Sequence, residues 1–362
     1  MDSIQAAEVV VIGAGQAGLS TAYYLARAGL TPGQSLVTLD RGPQTGGAWQ
    51  HRWDELKVGD THRIYDLPGM RETGLSFSSA PRDEPAREVV ARYYDIFERH
   101  YGLKVRRPTT VLAVTGSAPD FTVIADTPRG QEVITAKVIV NASGTWRRPR
   151  VPRVAGKDDF RGMQVTTPEY TSAAAFIGRR VAVVGAGTSA IGFLDELTRI
   201  GVSTTWFTRR PPEFVELGSE LSREAGAAAV AQQDASARAG ERLPSIASAT
   251  GLPLTPRIRR LERLGTLRRQ PMFARIVTDG VVTTAGTHTP FDAIIWATGF
   301  DAELDHLELL SLASSQGGIA VSDGESTRVP GVFLAGYGPQ ASTIGANWAG
   351  RTMARAIMQR LT

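Results

Sequence analysis

Two glycine-rich turns, 172 residues apart and each set between a strand-like and a helix-like pattern, constrain this chain more than any other feature. The first follows Glu8-Val9-Val10-Val11-Ile12 and reads Gly13-Ala14-Gly15-Gln16-Ala17-Gly18, ahead of a helical stretch from Leu19 to Arg27 that stops at Gly29. An apolar, β-branched run this short suits a strand buried on both faces of a parallel sheet. Strand, glycine turn and helix together give the motif its meaning. Gly13 permits the tight turn, Gly15 lets a pyrophosphate approach the backbone, and Gly18 lets the helix pack close to the strand. The helix start at Gln16 and Ala17 supplies N–H donors and the positive end of the dipole. The next strand, 35–39, ends in Asp40-Arg41, with Asp40 placed 22 residues after Gly18 to accept from ribose hydroxyls.

The second turn repeats the design. Arg180-Val181-Ala182-Val183-Val184 is the strand, Gly185-Ala186-Gly187-Thr188-Ser189-Ala190 the turn, and a helix runs from about Ile191 to Arg199. The following strand, 204–208, ends in Arg209-Arg210 instead of an acid. An acid there binds a free 2′-hydroxyl, whereas an arginine accommodates a 2′-phosphate. Ala190 in place of a third glycine fits the same reading. The expectation is FAD at the first turn and NADPH at the second, with NADH left open; the alternative is a pair of solvated arginines at a strand end.

Composition narrows the chemistry. The 362 residues are 42% hydrophobic and 21% charged, an ordinary globular balance. There is no cysteine, which excludes disulfides, a redox-active thiol pair, a thiolate nucleophile and iron–sulfur or cysteine-based zinc sites. The five histidines are scattered, and no metal site is expected. No run approaches twenty apolar residues, and Met1–Ala7 lacks the basic start of a secretory signal. The expectation is a soluble cytoplasmic protein without membrane or nucleic-acid partners. Arg147-Arg148-Pro149-Arg150 reads as solvated, or as lying near cofactor phosphates, ahead of a nucleic-acid surface.

Between the turns, 109–114, 121–125 and 131–135 read as meandering strands. Val138-Ile139-Val140-Asn141-Ala142-Ser143-Gly144 and Ala293-Ile294-Ile295-Trp296-Ala297-Thr298-Gly299 read as two buried strands. Both end in an Ala-Ser/Thr-Gly step, a pattern of matched crossings between two nucleotide-binding units. Gly144, Ala297, Thr298 and Gly299 are therefore candidate cofactor contacts. Residues 217–270, rich in Ala, Ser, Arg and Gln, suggest a helical excursion that is either a lid over a substrate opening or a plain surface insertion. A last strand ends at Gly336, and Ile344 opens a closing helix to Leu361 whose N-terminus faces the flavin. Trp49, Trp53 and Trp348 line a substrate pocket or belong to the core.

These motifs resemble the flavin-containing monooxygenase family, most closely its small bacterial members, over nearly the whole chain. The resemblance also rests on Gly46-Gly47-Ala48-Trp49, and on Gly144-Thr145-Trp146 with Pro149, Pro152 and Gly156. The family's Phe-x-Gly-x-x-x-His-x-x-x-Tyr window is matched at Phe160, Gly162 and Tyr170, but Thr166 stands in the histidine position. The resemblance implies an α/β fold of two nested Rossmann-like dinucleotide-binding domains. The FAD domain would comprise residues 1–155 and 291–362, and the NADPH domain residues 156–290. It implies that Gly47, Ala48 and Trp49 contact FAD, and that the stretch ending in Asp60 and His62 lines the flavin ring. Asp60 and Thr166 are the catalytic candidates. The implied reaction passes hydride from NADPH to flavin, adds O2 at C4a, and transfers one oxygen from the (hydro)peroxyflavin to a small organic sulfide, amine or ketone. The rival readings are a flavoprotein reductase or oxidase without oxygen transfer, and a nucleotide-binding sensor. A homodimer is compatible with either enzyme.

Overall fold

The structure is a computed structural model that describes residues 5–61, 64–216, 220–243, 251–338 and 343–362. The chain opens with β1 (Gln5–Ile12), α1 (Gln16–Arg27) and β2 (Leu36–Leu39). Val9, Val10 and Val11 are wholly buried. Val9 and Val11 pack against α1, while Val10 and Ile12 pack on the opposite face, against the strands described next. A strand covered on both faces has no polar side to show, which is why the sequence runs apolar without alternation.

Helix α2 (Ala86–His100) then buries Val89, Val90, Tyr93, Tyr94 and Phe97 on one face. β3 (Thr110–Ser117), β4 (Asp120–Thr127) and β5 (Gly130–Asn141) form an antiparallel meander. The sequence suggested two strands over 131–144, but β5 is one continuous strand of 12 residues. Its first half pairs with β4 on a half-exposed meander, and its second half enters the parallel sheet beside β1.

The second sheet starts at β6 (Met163–Thr166) and β7 (Arg180–Val184). It continues through α3 (Thr188–Arg199), β8 (Ser203–Thr208), α4 (Glu220–Ala239), α5 (Pro256–Arg263), β9 (Arg269–Pro271) and β10 (Ala293–Trp296). Its order is β9-β8-β7-β10-β6, parallel throughout. The expected boundary at residue 291 needs correction. β10 pairs with β7 in the register Ile294↔Ala182, so it belongs to the second sheet, and the chain crosses back only after Gly299. The described part of the 217–270 excursion contains α4 and α5, and the end of α4 packs through Ala237 on the first sheet.

The chain closes with β11 (Val321–Ser322), β12 (Glu325–Ser326), β13 (Val332–Leu334) and α6 (Thr343–Leu361). β13 lies parallel to β5, giving the first sheet the order β11-β12-β13-β5-β1-β2 with the meander branching from β5. Helix α6 packs beside α1 through Met353 and Ile357.

Candidate functional site

The two sheets present the same device at the carboxyl ends of β1 and β7, where open α/β sheets bind ligands. Gly13 has φ +100°, and a Cβ there would overlap the Ala142 carbonyl; Gly185 has φ +138°, and a Cβ there would overlap the Ala297 carbonyl. The Ala-Ser/Thr-Gly steps are therefore the walls against which the two glycine turns pack. A Cβ on Gly18 would strike the Gly13 carbonyl, which fixes how closely α1 approaches β1. At the second turn Ala190 is completely buried, so α3 accepts a methyl where α1 does not. The Trp206 indole donates to the Gly185 carbonyl at 2.7 Å and braces that turn from behind.

A cleft opens at the first turn. Its floor is Gly13, Gly15, Gln16 and Ala17, and one wall is Gly46, Gly47, Ala48 and Trp49. Asp40 and Arg41 stand at the end of β2, and Gly144 and Gly336 close the far side. Gln16 is held by donation to the Tyr65 carbonyl at 3.0 Å and by the Tyr94 hydroxyl at 3.2 Å. Asp40 Oδ2 accepts from the Ala14 N–H at 2.7 Å, and Oδ1 from the Gly42 N–H at 2.8 Å. A carboxylate offers about four acceptor sites, so Asp40 keeps acceptor capacity beyond these two bonds. A Cβ on Gly15 would find nothing nearer than the Gly47 Cα at 3.8 Å, so the turn leaves its face open toward the cleft. This donor set, with an acid at the β2 end and bare glycine backbone at a helix start, fits the adenosine diphosphate half of a dinucleotide.

Around this cleft the structure adds pairings that the sequence did not single out. Arg107 forks onto Glu98 of α2 with two bonds of 2.7 Å, and its Nε lies 3.5 Å from Asp40 Oδ1. Arg41 pairs with Glu303 at 2.5 Å, and the Ser143 hydroxyl donates to the Glu303 carbonyl at 2.6 Å. His306 is buried and bonds Asn141 Oδ1 through Nε2 at 2.8 Å. Burial, with Arg41 nearby, lowers its pKa to about 4, so the ring is neutral near pH 7. No local spacing signals these pairs.

At the second turn a Cβ on Gly187 would meet nothing within 4 Å, and the N-terminus of α3 begins at Thr188 and Ser189. Arg209 and Arg210 follow β8, both exposed and, among the described residues, unpaired. Thr298 donates to the Arg150 carbonyl, and the Arg150 N–H returns a bond to Gly299 at 2.8 Å. These bonds tie together the two chain segments that cross between the sheets.

The remaining sequence candidates fall elsewhere. Asp60 ends a short turn, pairs with Arg257 of α5 and lies 4.0 Å from Arg199 of α3. Both arginines also reach the buried Asp195. Thr166 caps the turn after β6, bonding Glu169 through its hydroxyl at 2.8 Å, and does not line the cleft. Tyr170 is buried and donates to Glu196 Oε2 at 3.0 Å, while Trp53 donates to Oε1 at 2.7 Å. Trp53 is thus core, Trp49 lines the cleft, and Trp348 is 73% exposed on α6. His62 lies outside the described residues, as does the side chain of Ile344.

Residues 10–222, more than half of the chain, match the family model described as pyridine nucleotide-disulphide oxidoreductase. A flavin-containing monooxygenase from Stenotrophomonas maltophilia is 30% identical, with a TM-score of 0.81 over 99% of this chain and 100% of the other. Senecionine N-oxygenase from Tyria jacobaeae is 28% identical over 235 residues, 58% of this chain and 50% of that protein. A Baeyer-Villiger monooxygenase from Streptomyces coelicolor is 30% identical over 56% of this chain and 38% of its own length. The chain thus matches half or less of these two curated relatives.

Proposed function

This chain belongs to the pyridine nucleotide-disulphide oxidoreductase family and to the flavin-containing monooxygenases, and we propose that it is an FAD-dependent, NADPH-consuming monooxygenase of small organic molecules. The observation that carries the reading is the pair of equivalent glycine turns, each backed by its own Ala-Ser/Thr-Gly step, with an acid after β2 and arginines after β8. When bound, the flavin takes up hydride and supplies the oxygen-transfer chemistry. The disulfide chemistry in the wider family's name has no counterpart here, because the sequence has no cysteine.

In this reading Asp40 orients the adenosine ribose and the Gly13–Gly18 turn holds the diphosphate. Thr188 and Ser189 receive the nicotinamide dinucleotide's diphosphate, and Arg209 and Arg210 its 2′-phosphate. Asp60, fixed between Arg257 and Arg199, is a charged group at the junction of the two units and positions the nicotinamide end. Thr166 takes no proton in this scheme; its hydroxyl is committed to Glu169. The substrate is a sulfide, an amine or a ketone.

Rapid mixing of the NADPH-reduced protein with oxygenated buffer tests the proposal. A transient absorption band to the blue of oxidised flavin, consumed faster when substrate is present, supports it. Direct return of oxidised flavin, with one peroxide released per NADPH in the presence of every sulfide, amine and ketone tried, would establish the reductase or oxidase instead.

A further inference from the structure

Beside the outer end of the flavin cleft lies a second concavity, of about 660 Å³, built where the two crossing segments run together. Arg148, Arg150 and Arg153 line it from the first crossing, together with Arg147, which also lines the flavin cleft; Arg242 joins from the chain beyond α4 and Asp301 from the return crossing. Pro149 and Pro152 fix φ in the first crossing and hold it extended, so its arginines are presented along a short rail.

The arrangement is pre-set. Asp301 accepts from Arg150 at 2.5 Å and from Arg242 at 3.3 Å, holding both guanidiniums at the rim. Arg148 pairs with Asp305 at 2.9 Å. Arg147 and Arg153 have no carboxylate partner among the described residues. Five guanidiniums therefore face two carboxylates, leaving three positive charges uncompensated in one depression. Guanidinium forks match phosphate oxygens bidentately, and their charge does not titrate away.

We propose that this concavity is a binding site for a linear oligophosphate, separate from both dinucleotide turns. The uncompensated charge calls for at least three negative charges, more than a single orthophosphate carries near neutral pH. Their spread along the crossing calls for a chain of phosphates instead of one compact ion. The nicotinamide 2′-phosphate does not fit here, because Arg209 and Arg210 follow β8, two strands and about 10 Å from β10, whose end the crossings leave. A phosphate chain seated here bridges the two crossings and would stiffen the connection between the sheets. Free tripolyphosphate and the triphosphate of a nucleotide share this chemistry.

Calorimetric titration of the flavin-loaded full chain with sodium tripolyphosphate, at fixed ionic strength, tests the site. One bound tripolyphosphate per chain is expected, with an affinity that falls steeply with added salt. Arg153→Gln with Arg242→Gln should weaken it at least tenfold, and Arg153→Lys with Arg242→Lys should restore part of it. Arg129→Gln with Arg263→Gln removes the same charge from other exposed positions and should change it less than twofold. ATP binding as tightly as tripolyphosphate identifies the phosphate chain as the recognised group; tighter ATP binding adds the nucleoside. Absence of saturable binding, equal loss in the Arg129/Arg263 control, or displacement by one equivalent of NADPH would each overturn the proposal. If the double variant is unstable, Arg153→Gln alone provides the same comparison.

Discussion

Removing the Arg107 guanidinium as Arg107→Leu should uncouple α2 from the flavin cleft at a cost that depends on pH. Arg107 and Glu98 are each about nine-tenths buried, and their fork closes with two bonds of 2.7 Å. Burial pushes the Glu98 carboxyl above its ordinary value, and Arg107 opposes that shift. Taking away one partner of such a pair leaves an uncompensated buried charge and typically costs about 3–5 kcal/mol. At roughly 2–4 °C per kcal/mol for a domain of this size, the melting temperature at pH 8.5 should drop on the order of 10 °C. The sign of the pH dependence follows from the raised carboxyl. The folded state binds this proton more tightly than the unfolded chain does. Stability from that source is present below the unfolded pKa and is lost as pH rises through the folded one. Without Arg107 the folded pKa rises further, so the variant should recover part of its loss at pH 5.5. Thermal melts followed by circular dichroism at the two pH values provide the measurement. Arg107→Leu combined with Glu98→Leu should be more stable than Arg107→Leu alone at pH 8.5, because the stranded charge is gone. A single variant that melts within 1 °C of the parent, or loses the same stability at both pH values, would refute the buried-pair account.

Three further outcomes are expected. Asp40→Asn cannot accept from both the Ala14 and Gly42 N–H groups, and should weaken FAD binding by about 1–3 kcal/mol, seen on titrating the apoprotein with FAD; unchanged affinity would remove Asp40 from the ribose site. Arg209→Gln with Arg210→Gln should raise the KM for NADPH at least tenfold while leaving that for NADH within about twofold, and equal effects on both would dismiss the 2′-phosphate assignment. His306 has its pKa lowered to about 4, so stability should fall as pH drops from about 6.5 toward 4, by on the order of 3 kcal/mol in all. His306→Asn should flatten that acid limb in denaturant titrations, and an unaltered limb would place the titration in another group.

The fold class and both glycine turns were legible because their requirements are local. A strand buried on both faces must run apolar, as 9–12 and 181–184 do, and a turn at φ +100° or +138° must be glycine. The recurrence of Ala-Ser/Thr-Gly was visible too, although its reason was not. The Ala142 and Ala297 carbonyls occupy the space that a side chain on Gly13 or Gly185 would need, across gaps of more than a hundred residues.

Helix α2 is not marked in the sequence by a side-chain cap or a glycine turn; its apolar positions recur at helical spacing, but only their burial in the fold distinguishes it. β5 was divided because the pattern changes from half-exposed to fully buried at its middle, and only its neighbours show that the backbone continues. The boundary at residue 291 failed for a similar reason. Which sheet a buried strand joins is decided by its hydrogen-bonding partners, and nothing in Ala293–Trp296 names β7. The same holds for the polar pairs beside the cleft and in the core. His306 meets Asn141 across 165 residues and Trp53 meets Glu196 across 143, pairings that burial enforces and no local spacing encodes. The sequence by itself determined where the backbone must turn tightly and which strands must be covered on both sides. The tertiary structure alone decided which distant charges share a low-dielectric site, and there their pairing sets protonation and stability.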